Sequence, residues 1–150
     1  MRFTAGFAFW VAALLATAAQ AQTNVKIGVL TDMSSLYSDD TGAGSVAAAK
    51  MAIADFNPEA HGMKVDFIVA DHQNKPDIGS NIARQWFDVD GVDVIVDVPN
   101  SGVALAVNEV VREKNKVFLV SGAAIADLTG PKCSPNTLRP RYSTAGSIRS

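Results

Sequence analysis

The stretch VDVIVDVPNSGVALAVNEVVREKNKVFLVS, Val92–Ser121, decides the fold. It opens on a run of β-branched residues of the kind found in a strand buried on both faces. Pro99-Asn100-Ser101-Gly102 breaks that run, and Asn100 and Ser101 are both residue types that cap helices. Val103, Val107 and Val110 then recur at helical spacing up to Lys114-Asn115, and Lys116–Ser121 is a second short apolar strand. Strand, turn, helix and strand within thirty residues is a crossover unit, and such units build parallel sheets.

The same alternation extends upstream. Val25–Leu30 reads as a buried strand, followed by the loop TDMSSLYSDDTGAG. Val46, Ala49, Ile53 and Phe56 predict a helical stripe that Asn57-Pro58 ends. Lys64–Asp71 is a second strand and HQNKPDIG a turn. Ile78, Ile82 and Trp86, with Ala83 and Phe87 beside them, mark another helix that Gly91 closes, and Val92–Val98 is the third strand. The pattern predicts an α/β fold, a three-layer Rossmann-like parallel sheet with helices on both faces. No solenoid-period repeat is present.

The two ends of the chain depart from this pattern. Arg2, the apolar run Phe7–Leu15 and the small-x-small Ala19-Gln20-Ala21 have the layout of a cleavable export leader, so residues 1–21 are set apart as a signal peptide. The run is too short to span a membrane. The alternative is a buried N-terminal helix. At the other end, residues 22–130 read as the folded part and residues 131–150 as an irregular tail. From Cys133 on there is no strand or helix periodicity, and the charge changes sign. Gln22–Asp127 has 8 basic against 15 acidic residues, whereas Leu128–Ser150 has 4 basic residues and no acid. Cys133 is the single cysteine, which excludes an internal disulfide; it reads as a buried inert thiol or one whose partner lies elsewhere.

In an open parallel sheet, ligands sit beyond the carboxyl ends of the strands. There the chain offers Thr31-Asp32 through Leu36 and Tyr37, Asp71-His72, Asn100-Ser101 at a helix start, and Ser121-Gly122-Ala123-Ala124. A helix start with free N–H groups suits an anion such as a carboxylate. The small residues after the fourth strand let backbone N–H groups approach, and Tyr37 offers an aromatic face. These loops make a cradle only if the sheet order brings them together. Each feature also has a plainer reading, as a helix cap, a tight turn or a packed loop residue.

Catalytic and cofactor signals are absent. Gly42-x-Gly44 lacks the third glycine of a dinucleotide fingerprint, and there is no phosphate-binding loop. His61 and His72 stand alone, without a second ligand at metal spacing. Asp88, Asp90 and Asp93 lack the spacing and the glutamate of a calcium loop, and Asp39-Asp40 reads as a solvated pair. No basic patch suits nucleic acid. The reading is therefore of a chain with no catalytic residues, no metal and no cofactor.

Four stretches carry a resemblance: Lys26–Asn57, Asp71–Asp88, Val92–Val110 and Val117–Gly130. In order and spacing they resemble the N-terminal part of periplasmic solute-binding proteins of ABC importers, of the leucine/isoleucine/valine-binding type. The resemblance implies two α/β lobes that close on a ligand, of which this chain carries part of the first. It implies export to the periplasm, a small-molecule solute (an amino acid or aromatic carboxylate) and a membrane permease as partner. It also implies first-lobe ligand contacts at Leu36 and Tyr37, Asn100 and Ser101, and Ala123 and Ala124. Ile125 and Ala126 stand where relatives often carry hydroxyl residues. LRPRYSTAGSIRS stands where relatives continue into an aromatic-rich segment, so the tail is expected to be a frameshifted or prematurely ended reading of a longer gene, with weak or no solute binding. A ligand-sensing receptor domain and a doubly wound enzyme domain are the other readings. The first calls for a signalling or membrane segment, the second for a nucleotide fingerprint.

Overall fold

The computed structural model describes residues 22–139. Within them the chain runs β1 (Thr23–Thr31), α1 (Gly42–Phe56), a 3-10 turn at Pro58–His61, β2 (Met63–Asp71), α2 (Pro76–Asp88), β3 (Val94–Asp97), α3 (Ser101–Lys114), β4 (Val117–Val120), a second 3-10 turn at Ala126–Thr129 and β5 (Thr137–Leu138). The five strands form one parallel sheet in the order β2-β1-β3-β4-β5. This is the α/β architecture that the alternation predicts. The leader residues and the last eleven residues lie outside the described residues.

The core lies on one face of the sheet. Right-handed crossovers place α2 and α3 together on that face. Leu30, Ile95, Phe118 and Val120 point into it from the strands, and Ala83, Trp86, Val103, Val107 and Val111 meet them from the helices. Gly28 is a requirement of this packing. A Cβ there would sit 2.4 Å from Cζ3 of Trp86, so the indole lies flat where β1 has no side chain. Gly79 does the same for α3, since a Cβ there would reach 2.5 Å from Cγ1 of Val103.

Several details add to or differ from the sequence reading. The α1 stripe does not enter the core: Gly42 is the helix's one buried residue, and Phe56 is 51% exposed. The stripe covers the opposite face of the sheet, where no other described helix joins it. Second, β3 stops at Asp97 because Asp97 and Val98 take φ of 82° and 61°. A positive φ is sterically costly for a β-branched residue. Third, part of the tail read as irregular carries a strand. Thr137–Leu138 pairs with Phe118–Leu119, a run too short to show periodicity. It is held by Phe118 N–H to Asn136 O (2.9 Å) and by Thr137 Oγ1 to Oδ1 of the fully buried Asn108 (2.6 Å). Cys133, expected to be buried, is exposed.

Arg139 follows β5. Its Nη1 donates to Ile125 O (2.5 Å), while Nε and Nη2 are buried with no partner among the described residues.

Candidate functional site

The sheet order answers the condition set by the sequence. With β1 beside β3 and β3 beside β4, the loops after these three strands share one edge. Two contacts fasten the loops after β3 and β4 to each other. Gly122 lies against Pro99, so closely that a Cβ would fall 3.1 Å from Pro99 Cα. The Ser121 hydroxyl donates to Oδ1 of the buried Asp97.

The loop after β1 is organised by Asp32, which is fully buried. Its Oδ2 accepts from Ser35 Oγ (2.6 Å) and Tyr37 N–H (2.9 Å), and its Oδ1 from the N–H of Ser35 (3.0 Å) and Ser34 (3.4 Å). Burial by itself raises the carboxyl pKa. The hydrogen bonds from Ser35 and from the Tyr37 and Ser34 N–H groups outweigh it, and Asp32 stays below the ordinary carboxylate range. Asp71, at the end of β2, ties the loop down from the other side. Its Oδ1 accepts from Met33 N–H (3.0 Å) and Gln73 N–H (2.7 Å), and its Oδ2 from Ser34 Oγ (2.6 Å). Burial again raises its pKa, and bonds from Ser34, Met33 and Gln73 again lower it further than burial lifts it. Thr41 closes the loop by donating Oγ1 to Tyr37 O (2.9 Å).

The residues singled out by sequence sort differently within this frame. Leu36 is 75% exposed at the loop tip, and Tyr37 is half-buried behind it. Asn100 caps α3, its Oδ1 accepting from Val103 N–H (2.9 Å), while Ser101 is the first helical residue and half-buried. Ala123 is packed into the core, which leaves only its backbone groups for a ligand, and Ala124 is exposed. His72 is fully buried at the end of β2, where its Nδ1 accepts from Asn74 N–H (3.0 Å) and shapes the turn. Burial lowers its pKa against the opposing pull of Asp32, Asp71 and Asp97. No group of three or more potential metal ligands exists among the described residues. Sequence reading named Asp32 and Asp71 only by position. The signal that would have exposed their role is an Asp directly followed, at +2, +3 and +5, by residues able to donate from a turn.

The edge thus presents an exposed apolar tip, a helix N-terminus held by a cap, and a small-residue loop, with the buried carboxylates spent on holding loops. It can receive a small polar molecule with an apolar part.

Comparison with known proteins identifies the family and the fold. Residues 24–150 match a family described as periplasmic binding protein. Among solved structures, a periplasmic binding protein from Burkholderia mallei is 46% identical, with a TM-score of 0.74 over 79% of this chain and 31% of that one. A branched chain amino acid ABC transporter periplasmic ligand-binding protein from Burkholderia xenovorans is 49% identical, with a TM-score of 0.71 over 75% of this chain and 30% of that one. A solute binding protein from Rhodopseudomonas palustris, in complex with 4-hydroxybenzoate, shares the fold at 24% identity with a TM-score of 0.69, over 77% of this chain and 31% of that one. The chain therefore spans under a third of the length of these structures. No match was found among curated proteins.

Proposed function

Because the chain belongs to the periplasmic binding protein family, we propose that it supplies part of the first lobe of an ABC-importer solute receptor for a small carboxylate-bearing solute. The solute class is a branched-chain amino acid or an aromatic acid. The observation that carries this reading is the convergence of the loops after β1, β3 and β4 on one edge, with the α3 N-terminus among them. The cap and helix dipole favour a carboxylate, and Leu36 and Tyr37 favour the solute's apolar part. The contacts are Leu36, Tyr37, Asn100, Ser101, the Ala123 backbone and Ala124. The role is binding, not catalysis, and the place of action is the periplasm. Closure of a loaded receptor presents its solute to a membrane permease.

The relatives are about two and a half times as long, and a cleft between lobes draws contacts from both. The 150-residue chain alone should bind leucine or 4-hydroxybenzoate no tighter than the millimolar range. Isothermal titration yielding micromolar affinity for either would contradict this.

A further inference from the structure

We propose that the charge state of His72 decides how firmly the loop after β1 is tied to the end of β2: the neutral ring fastens the turn that carries the tie, and a protonated ring unfastens it. That this loop serves a solute rests on the function proposed above.

The turn His72–Lys75 puts two successive residues, Gln73 and Asn74, in the left-handed region, with φ of 51° and 57°. Such backbone persists only where its surroundings hold it. Two side chains do so here. Gln73 N–H donates to Asp71 Oδ1 (2.7 Å), and Asn74 N–H donates to His72 Nδ1 (3.0 Å). Lys75 N–H, donating to His72 O (2.9 Å), closes the turn. The loop after β1 hangs on the same carboxylate, since Asp71 Oδ1 also accepts from Met33 N–H and its Oδ2 from Ser34 Oγ. Turn and loop therefore share one anchor, two residues before Leu36 and Tyr37. Asp32 keeps its own bonds within the loop, so the release is from Asp71 alone.

Nδ1 can accept only while it carries no proton, so the bond from Asn74 requires a neutral ring with its hydrogen on Nε2. A proton on Nδ1 sets donor against donor. The ring has no room to turn away: it is fully buried, Gly79 of α2 packs against its Cβ, and Val103 of α3 packs against Gly79. Its Nε2 has no partner among the described residues. The charged groups that face it are the carboxylates of Asp32 after β1, Asp71 on β2 and Asp97 on β3. Burial outweighs their pull and holds the imidazole below its ordinary pKa of about 6.5. The folded state thus disfavours the proton. The stability that follows is complete above about pH 6.5 and is lost as pH falls toward the lower folded-state value. Asp32 and Asp71 are themselves held below the ordinary carboxylate range, so neither drives a change in the loop above about pH 4.

The test is an NMR titration of the 150-residue chain from about pH 7.5 to about 4.5, following imidazole and amide resonances. The chain has two histidines, and His61→Gln identifies the ring of His72. The amides of Gln73, Asn74, Met33 and Ser34 should move together with the His72 midpoint, below about 6.5. On crossing it, Asn74 N–H should lose at least about tenfold of its protection against hydrogen exchange. His72→Asn offers an oxygen that can accept the same N–H without titrating, and should abolish the loop movement over this range. Met33 and Ser34 amides that move with another midpoint or not at all, a ring that stays neutral to about pH 4.5, or an unchanged loop titration in His72→Asn would overturn the proposal. Leucine and 4-hydroxybenzoate then distinguish it from the solute assignment. Loop amides that follow His72 while neither solute shifts Leu36 at any pH would uphold the release and remove the solute role.

Discussion

Trp86→Ala should destabilise the fold by about 3–5 kcal/mol, the largest effect of any single truncation considered. Trp86 is 5% exposed and lies against β1 at Gly28, where it fills the space between that strand and α2. Deleting the indole leaves a cavity between rigid elements that cannot collapse to fill it. The reciprocal change makes the same point. Gly28→Ala puts a methyl where ring atoms now stand, at 2.4 Å and 2.5 Å, and should cost about 1–3 kcal/mol through overpacking. Combining the two should cost less than their sum, because the alanine methyl occupies part of the space the indole leaves. Urea unfolding of the four proteins measures this cycle. Strict additivity would show that the cost of a side chain at Gly28 is unrelated to Trp86.

Asp32→Ala comes next. It strips the acceptor from three backbone N–H groups and one hydroxyl at once. An expected loss of about 2–4 kcal/mol follows from donors left without partners, less what water recovers once the loop opens. The same residue sets an acid limit. The folded-state pKa of Asp32 lies below its unfolded value of about 3.9, as does that of Asp71. The stability they contribute is therefore complete above that value and is lost as pH falls through the lower folded-state value. The stability difference between the native chain and Asp32→Asn should hold steady from neutral pH to about 4 and shrink below it. A difference that shrinks between pH 7 and 5 instead would mean that Asp32 is not the group holding the loop.

How far the sequence disclosed the fold can be judged from particular elements. The valine-rich runs around Val29 and Ile95 and the spacing of Ala83, Trp86 and Phe87 were legible because periodicity reports burial on a full core face. The α1 stripe has the same spacing but lies on the opposite face of the sheet, since periodicity says which side of a helix is apolar and not which face it packs on. The strand at Thr137–Leu138 was illegible because its place is set by Asn108 and Asn136, partners distant in sequence from the residues they hold. At the edge, the helix cap at Asn100 was readable from residue type alone. That Ala123 turns inward while Ala124 faces out depends on the Gly122–Pro99 contact, which no local pattern encodes.

The most direct test of the account is to map where a solute touches the chain. Amide resonances of the 150-residue protein would be followed by NMR during titration with leucine and, separately, with 4-hydroxybenzoate, up to tens of millimolar, a range suited to weak binding. The account predicts saturable shifts at Leu36, Tyr37, Ser101 and Ala124 with at least one of the two, and little change at the opposite end of the strands. Shifts confined to the opposite end of the strands, or no shift at the carboxyl edge of the sheet with either solute, would contradict it.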